Sequence, residues 1–166
     1  TKADLRASQS AHPPFGDYLC VPDSEIFHIH GTSGTTGRPT AFAVGRNDWR
    51  TIANAHARIM WGMGLRPGDM ICVAAVFSLY LGSWGALAGA ERLRAKAFPF
   101  GAGAPGMSAR LAHWLHTMKP AAFYGTPSYA IHLAEVAREE KLNPRDFKLK
   151  YLFFSGEPGA SVPGVK

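Results

Sequence analysis

Cysteine is scarce in this sequence. Cys20 and Cys72 are the two present, and they do not form a Cys-x-x-Cys pair, so neither a disulfide framework nor a zinc site is indicated. A reducing, cytoplasmic setting is the expectation. Charge is also thin: charged residues make up 18% of the 166 positions. The net charge is +6, yet no run of lysine and arginine is longer than two. Charge scattered in this way offers nucleic acid no stripe to follow, and only weak, non-specific binding is expected. No secretory leader pattern opens the chain. An initiating methionine is missing too, and the irregular stretch from Thr1 to Asp23 does not resemble a natural N-terminus. There are no internal repeats, no low-complexity tracts and no dividing linker.

Long apolar runs are nearly absent, with one exception. Met70 to Ala90 is 21 residues without a charge and contains Gly85-x-x-x-Gly89, the spacing of a membrane dimer face. The stretch divides on inspection. Met70 to Phe77 is rich in strand formers, Ser78 to Ser83 reads as a loop, and only Trp84 to Arg92 reads as a helix, too short to span a bilayer. No membrane partner is expected. The hydrophobic content of 46% suits one globular domain with a real core.

What the sequence does contain is concentrated in Gly31-Thr32-Ser33-Gly34-Thr35-Thr36-Gly37-Arg38-Pro39-Thr40. Glycines let successive backbone N–H groups converge on an anion, hydroxyls add donors, and Arg38 can grip phosphate oxygens with two parallel N–H groups. The stretch therefore reads as a phosphate cradle. It is not the Walker type, because five residues separate Gly31 from Gly37 and Pro39 disfavours a helix at Arg38. Alternating residues before it (Glu25 to His30) and after it (Thr40 to Val44) predict a strand–loop–strand hairpin. The competing interpretation is a flexible Gly/Thr hairpin tip.

The rest of the chain predicts a helix from about Asn47 to Met63, capped by Asn47 or Asp48. A strand at 70–77 follows, then a helix at 84–92 and a strand near Lys96–Phe98. Ser108 is expected to cap a helix bearing Leu111, Ala112, Leu115 and Met118. A buried strand covers Ala121 to Tyr124. Thr126-Pro127 opens a helix running to about Lys141, and Lys150 to Phe154 is the last strand. Strand–helix alternation of this kind predicts an α/β fold with a mostly parallel sheet flanked by helices. Ligands in such sheets sit beyond the carboxyl ends of the strands. Phe77–Tyr80, Tyr124-Gly125-Thr126 and Ser155-Gly156-Glu157 are three such ends, expected to face the phosphate loop across one cleft.

With these stretches in view, the chain resembles the adenylate-forming ligases, in their phenylacetate–CoA ligase-like branch. The resemblance rests on Thr1-Lys2-Ala3-Asp4-Leu5-Arg6, Pro14-Phe15-Gly16, Val21-Pro22, Ile29-His30 and Ser33-Gly34-Thr35-Thr36-Gly37. Arg66-Pro67-Gly68-Asp69, Gly89-Ala90-Glu91-Arg92-Leu93, Thr126-Pro127-Ser128-Tyr129 and Gly156-Glu157-Pro158 follow in family order. It implies a reaction in two halves: ATP and a carboxylic acid give an acyl-adenylate and pyrophosphate, then CoA displaces AMP. It implies that Thr32, Ser33, Gly34, Thr35, Thr36, Gly37 and Arg38 hold the phosphates. Ser155, Gly156, Glu157 and Pro158 would lie along the adenine. Phe77, Tyr80, Gly82, Tyr124, Gly125 and Thr126 would line the acyl pocket, although core packing is the alternative for Phe77, Tyr80 and Tyr124.

Three departures from the family pattern stand out. Arg38 replaces the usual lysine. The family's Tyr-Gly-Tyr-Gly-Leu-Phe-Thr-Gly-Gly becomes Ala75-Val76-Phe77-Ser78-Leu79-Tyr80-Leu81-Gly82-Ser83, with Tyr80 in place of the phenylalanine. Gly-Ala-Glu-Pro becomes Ser155-Gly156-Glu157-Pro158. An aromatic or other hydrophobic acid is the expected substrate. The resemblance also implies that residues 1–166 are an internal part of a large N-terminal AMP-binding domain, inactive alone. The magnesium ligand, the ribose-binding aspartate and the small C-terminal domain with its catalytic lysine would lie outside. ATP, Mg2+ and CoA are thus the implied cofactors, and no catalytic residue is expected within this chain. A homodimer of the intact protein stays open.

Other chemistry is weaker. His28 and His30 share one face of a strand, but no third metal ligand follows. His56, His113, His116 and His132 fall on helices in structural or surface positions, and Glu157 suits binding better than proton transfer. Two alternatives remain: an adenylyl transferase that stops before CoA, and a nucleotide-binding homologue without ligase chemistry.

Overall fold

The computed structural model describes residues 1–32, 39–102, 104 and 106–159. Helix α1 (Lys2–Ala11) opens the chain, and its first turn is closed by a capping box. The Asp4 N–H donates to Thr1 Oγ1 at 3.4 Å, and the Asp4 carboxylate accepts from the Thr1 ammonium and hydroxyl. Strands β1 (Ile26–Gly31) and β2 (Ala41–Gly45) then pair antiparallel, with His28 opposite Val44 and His30 opposite Phe42. The expected hairpin is present, and the loop Ser33 to Arg38 between its strands lies outside the described residues.

Helix α2 (Arg46–Gly62) leads into the main sheet. The sheet has four parallel strands, β3 (Met70–Val73), β4 (Lys96–Phe98), β5 (Ala122–Gly125) and β6 (Tyr151–Phe154), in the order β4-β3-β5-β6. Helices α3 (Leu81–Leu93), α4 (Met107–Met118) and α5 (Pro127–Glu139) connect them. Period-two alternation divides the core between the two faces. Ile71, Val73, Ala122 and Tyr124 pack with Met60 of α2 and with Ala86 and Ala90 of α3. Cys72, Ala74 and Phe123 pack with Leu111 and Leu115 of α4 and Leu133 of α5. Covering a parallel sheet on both faces is what lets its strands be apolar throughout.

Four boundaries differ from expectation. β3 ends at Val73, short of Phe77, because the carbonyl of Val76 is taken by the Ser83 hydroxyl at 2.7 Å and no longer serves a neighbouring strand. That same bond draws Gly82 and the fully buried Ser83 into α3, which starts at Leu81 instead of Trp84. α2 is capped at Gly45, whose N–H donates to Asp48 Oδ2 at 2.9 Å, so Asp48 works from inside the first turn. α4 is entered through Gly106 at φ 74°, and Ser108, expected as its cap, instead points its hydroxyl at Tyr129 Oη, 3.4 Å away. Thr126 does cap α5, accepting from the Tyr129 N–H at 3.3 Å. The uncharged stretch from Met70 to Ala90 is divided between β3, a loop and α3. Among the described residues no helix is long and apolar enough to cross a membrane.

Candidate functional site

The carboxyl ends of β3, β5 and β6 open at the same edge of the sheet, and their loops are tied together by side chains. Ser155 follows β6. Its Oγ lies 2.9 Å from Tyr124 Oη and 3.4 Å from Tyr80 Oη, while its N–H donates to the Gly125 carbonyl at 3.2 Å. Burial pushes the Tyr124 phenol up to about 12, with the Tyr80 hydroxyl adding to the rise and Ser155 opposing it. Gly82 lies under the Tyr80 ring, where any Cβ would overlap the phenol. Of the residues expected at the acyl pocket, Tyr80, Gly82, Tyr124 and Gly125 therefore meet. Phe77 stands apart, edge-on to Trp84 at 5.1 Å and against the core.

A second knot ties β6 to α5. Gly156 turns the chain at φ 87°, and Glu157 reaches the first turn of α5. Its carboxylate accepts from the Ser128 hydroxyl at 2.7 Å and from the Ser128 N–H at 3.1 Å. The Ser128 hydroxyl first, then its N–H, hold the Glu157 carboxyl below the usual carboxylate range. A carboxylate at a helix N-terminus also complements the exposed N–H groups there. Thr126 lies within the same knot, its hydroxyl 3.4 Å from that of Ser128. Pro158 follows on the same turn.

The hairpin is held against these strand ends at its neck. The Thr32 N–H donates to the Thr40 carbonyl, and the Thr40 N–H to Thr32 Oγ1, both at 3.1 Å. Thr32 therefore closes the neck of the hairpin, while Ser33, Gly34, Thr35, Thr36, Gly37 and Arg38 lie outside the described residues. The Leu79 carbonyl receives the Gly31 N–H at 3.0 Å and faces His30 Nδ1 at 3.2 Å, linking the hairpin to the loop that carries Tyr80. Between hairpin and loop lies a groove of about 750 Å3, bordered by Thr32, Pro39, Leu79 and Tyr80.

Sequence reasoning missed what orients this hairpin. The His28, His30 and Trp49 rings lie parallel, His28 4.0 Å from Trp49 and 5.6 Å from His30. Burial, and then the neighbouring His30, lower the His28 pKa. From the other side, the Gln9 carboxamide acts like a strand edge: its Nε2 donates to the Ala41 carbonyl at 2.7 Å and its Oε1 accepts the Ala41 N–H at 3.2 Å. The strand alternation had put both histidines on one face; the missing step was bringing Trp49 of α2 onto that face. Among the described residues no three His, Cys, Asp or Glu side chains converge to hold a metal ion.

No family model matches the chain. It is 35% identical over 157 residues to a phenylacetate–coenzyme A ligase of Pseudomonas putida, a match covering 95% of this chain and 34% of that protein. A phenylacetate–coenzyme A ligase of Thermus thermophilus is 36% identical over 157 residues, with the same coverage of 95% and 34%. Among solved structures, an open conformation of 2-hydroxyisobutyryl-CoA ligase in complex with 2-HIB-AMP and CoA superposes with a TM-score of 0.95 at 86% identity. That match covers 99% of this chain and 38% of the solved one. The chain thus spans about a third of the length of the relatives it matches. By sequence and by fold, it belongs to the adenylate-forming ligases, on their phenylacetate–CoA ligase-like branch.

Proposed function

We propose that the protein containing this chain activates a carboxylic acid with ATP and passes the acyl group to CoA. In the first half, a carboxylate oxygen attacks the α-phosphorus of ATP. An acyl O–P bond forms, the bond to the β-phosphate bridge oxygen breaks, and pyrophosphate leaves with the electron pair. In the second half, the CoA sulfur attacks the acyl carbon, the thiol proton is lost, and the C–O bond to AMP breaks. The observation that carries this proposal is the anchoring of the phosphate-loop neck beside the strand ends, through Gly31 and His30 on the Leu79 carbonyl. Relatives bearing a CoA-ligase name, and one solved with both an acyl-AMP and CoA, support it.

Within that scheme, Thr32 and Ser33 to Arg38 hold the β- and γ-phosphates, donors aimed where charge develops as pyrophosphate departs. Ser155, Gly156, Glu157 and Pro158 border the adenine. Phe77, Tyr80, Gly82, Tyr124, Gly125 and Thr126 surround the acyl group. The chain forms part of a large N-terminal domain, with the small C-terminal domain beyond it. Mg2+ accompanies ATP on ligands outside the described residues. Free Cys20 and Cys72 suit a cytoplasmic enzyme, and the intact protein is proposed to pair as a homodimer.

The acid is proposed to be short and branched, of the 2-hydroxyisobutyrate kind, which the 86% identity to that ligase supports. An aromatic acid is the second possibility, favoured by the phenylacetate ligases at 35% and 36% identity. The test is pyrophosphate release from ATP by the intact protein across short aliphatic and aryl acids, followed by mass spectrometry for the thioester. Release with one class and a matching thioester is the expected result. Release with no acid refutes the proposal, and release without thioester favours the adenylyl transferase.

A further inference from the structure

His30 is a buried polar side chain, 4% exposed, on β1 opposite Phe42 of β2. Its Nδ1 lies 3.2 Å from the Leu79 carbonyl. A carbonyl only accepts, so Nδ1 carries the proton of the neutral ring and donates it there. The lone pair is then left on Nε2, which is buried and meets no donor among the described residues. A buried acceptor without a partner is unfavourable. Leucine would fill the space with no such orphan, so packing alone does not account for an imidazole at this position. What leucine lacks is the Nδ1–H.

The ring is also fixed in orientation. It lies within 3° of parallel to the Trp49 ring, 6.0 Å between centroids, and 5.6 Å from His28 on the same stack. Trp49 belongs to α2, which reaches the core through Met60. The neck of the hairpin, closed by Thr32 and Thr40, is thereby tied to two supports. One is α2, through the stack; the other is the loop ahead of α3, through Nδ1. Gly31 donates to the same Leu79 carbonyl from the main chain at 3.0 Å, so the imidazole is the part of this anchor that a substitution can remove.

We propose that His30 is a positioning residue for phosphate binding: its Nδ1–H bond to the Leu79 carbonyl sets the hairpin neck against the strand ends, and with it the affinity for the β- and γ-phosphates of ATP. The residue acts through the hairpin and needs no contact with the nucleotide. The assignment rests on the phosphate-holding role proposed above for residues 32–38.

The experiment measures the affinity of the intact protein for ATP and for AMP in the same Mg2+ buffer, by titration calorimetry. AMP lacks the two phosphates in question and reports on the rest of the nucleotide site. Three variants separate the atoms of the ring. Asparagine places an N–H where Nδ1 stands, glutamine places one where Nε2 stands, and leucine supplies neither. His30→Leu and His30→Gln are each expected to weaken ATP about tenfold, the scale of one lost hydrogen bond, with AMP unchanged. His30→Asn is expected to recover most of the ATP affinity. Equal weakening of ATP and AMP overturns the assignment, because a general lesion of the fold acts that way. So does unchanged ATP affinity in His30→Leu and His30→Gln, or a His30→Asn protein as weak as those two. A thermal melt accompanies each variant. If neither leucine nor glutamine yields a folded protein, the ring serves stability and the assignment is again overturned. A wild type that binds neither nucleotide removes the acid-activating function itself, whereas a wild type that binds ATP beside variants that fail to discriminate removes only the role of His30.

Discussion

Replacing Gly89 by alanine tests the packing that carries the hairpin. Gly85 and Gly89 are where α3 comes closest to α2, with His56 filling the space their missing side chains leave. A methyl group at Gly89 would overlap the His56 Cβ and stand 3.0 Å from its carbonyl carbon and 3.1 Å from the Ala57 nitrogen. Two of those three neighbours are backbone, so α2 itself must shift. Overpacking costs about 1–3 kcal/mol, and a backbone clash belongs at the upper end. Alanine recovers about 1 kcal/mol of helix propensity over glycine, leaving a net loss of about 1–2 kcal/mol. Gly62, the last residue of α2, is the control: a Cβ there meets nothing within 4 Å. Gly62→Ala therefore keeps whatever propensity gain a helix end allows. Urea unfolding of the intact protein, followed by tryptophan fluorescence, reads both changes, since Trp49, Trp61 and Trp84 lie on these two helices. Gly89→Ala should lower the midpoint with an unchanged slope, and Gly62→Ala should leave it level or raise it. A Gly89→Ala protein at or above the wild-type midpoint would refute the tight crossing.

Two further perturbations bear on single groups. Burial pushes the Cys72 thiol up to about 12, whereas Cys20 is exposed. A disulfide reagent at pH 8 should therefore modify native protein at Cys20 alone, and peptide mass spectrometry showing Cys72 labelled before denaturation would contradict the packing. The Glu157 carboxyl has a folded pKa below its unfolded value, so its contribution to stability is present above the unfolded pKa and is lost as pH falls through the folded one. Ser128→Ala removes the first of its donors and keeps the backbone N–H. The Glu157 titration, followed by NMR, should then move upward, and an unmoved midpoint would show that the hydroxyl is not what holds the carboxyl down.

Much of the fold was legible because each element carries its own local signal. Thr126-Pro127 announces α5 by a hydroxyl cap and a proline at the first turn. The strand alternation around residues 25–44 marked the hairpin, and the charge-free stretch divided much as its composition suggested. The misplaced boundaries all depend on contacts distant in sequence or on a side chain working from within a turn. Ser83 looked like a loop residue until its bond to the Val76 carbonyl pulled it into α3. Asp48 was read as a cap, and it does cap α2, but from the third turn position back to Gly45. The Gly85-x-x-x-Gly89 spacing signalled close helix approach correctly and named the wrong surroundings, because its partner is α2 in a covered core.

The site follows a division of labour between main chain and side chain. The bonds that hold the hairpin over the strand ends end on backbone groups: the Leu79 carbonyl for Gly31 and His30, and the Ala41 amide for Gln9. The Trp84 indole likewise donates to the Ser78 carbonyl at 2.8 Å, fixing the loop on which Tyr80 rides. A carbonyl accepts whatever side chain its residue bears. Residues 75–83 can therefore diverge from the family pattern without moving the hairpin, since Leu79 and Ser78 are held by atoms every residue possesses. The side chains of Tyr80 and Ser155 are under no such duty, and their hydroxyls meet at 3.4 Å at the carboxyl ends of the strands. A sequence departure that would break a side-chain anchor elsewhere is here free to change the side chains at the strand ends while leaving the neck of the hairpin where it is.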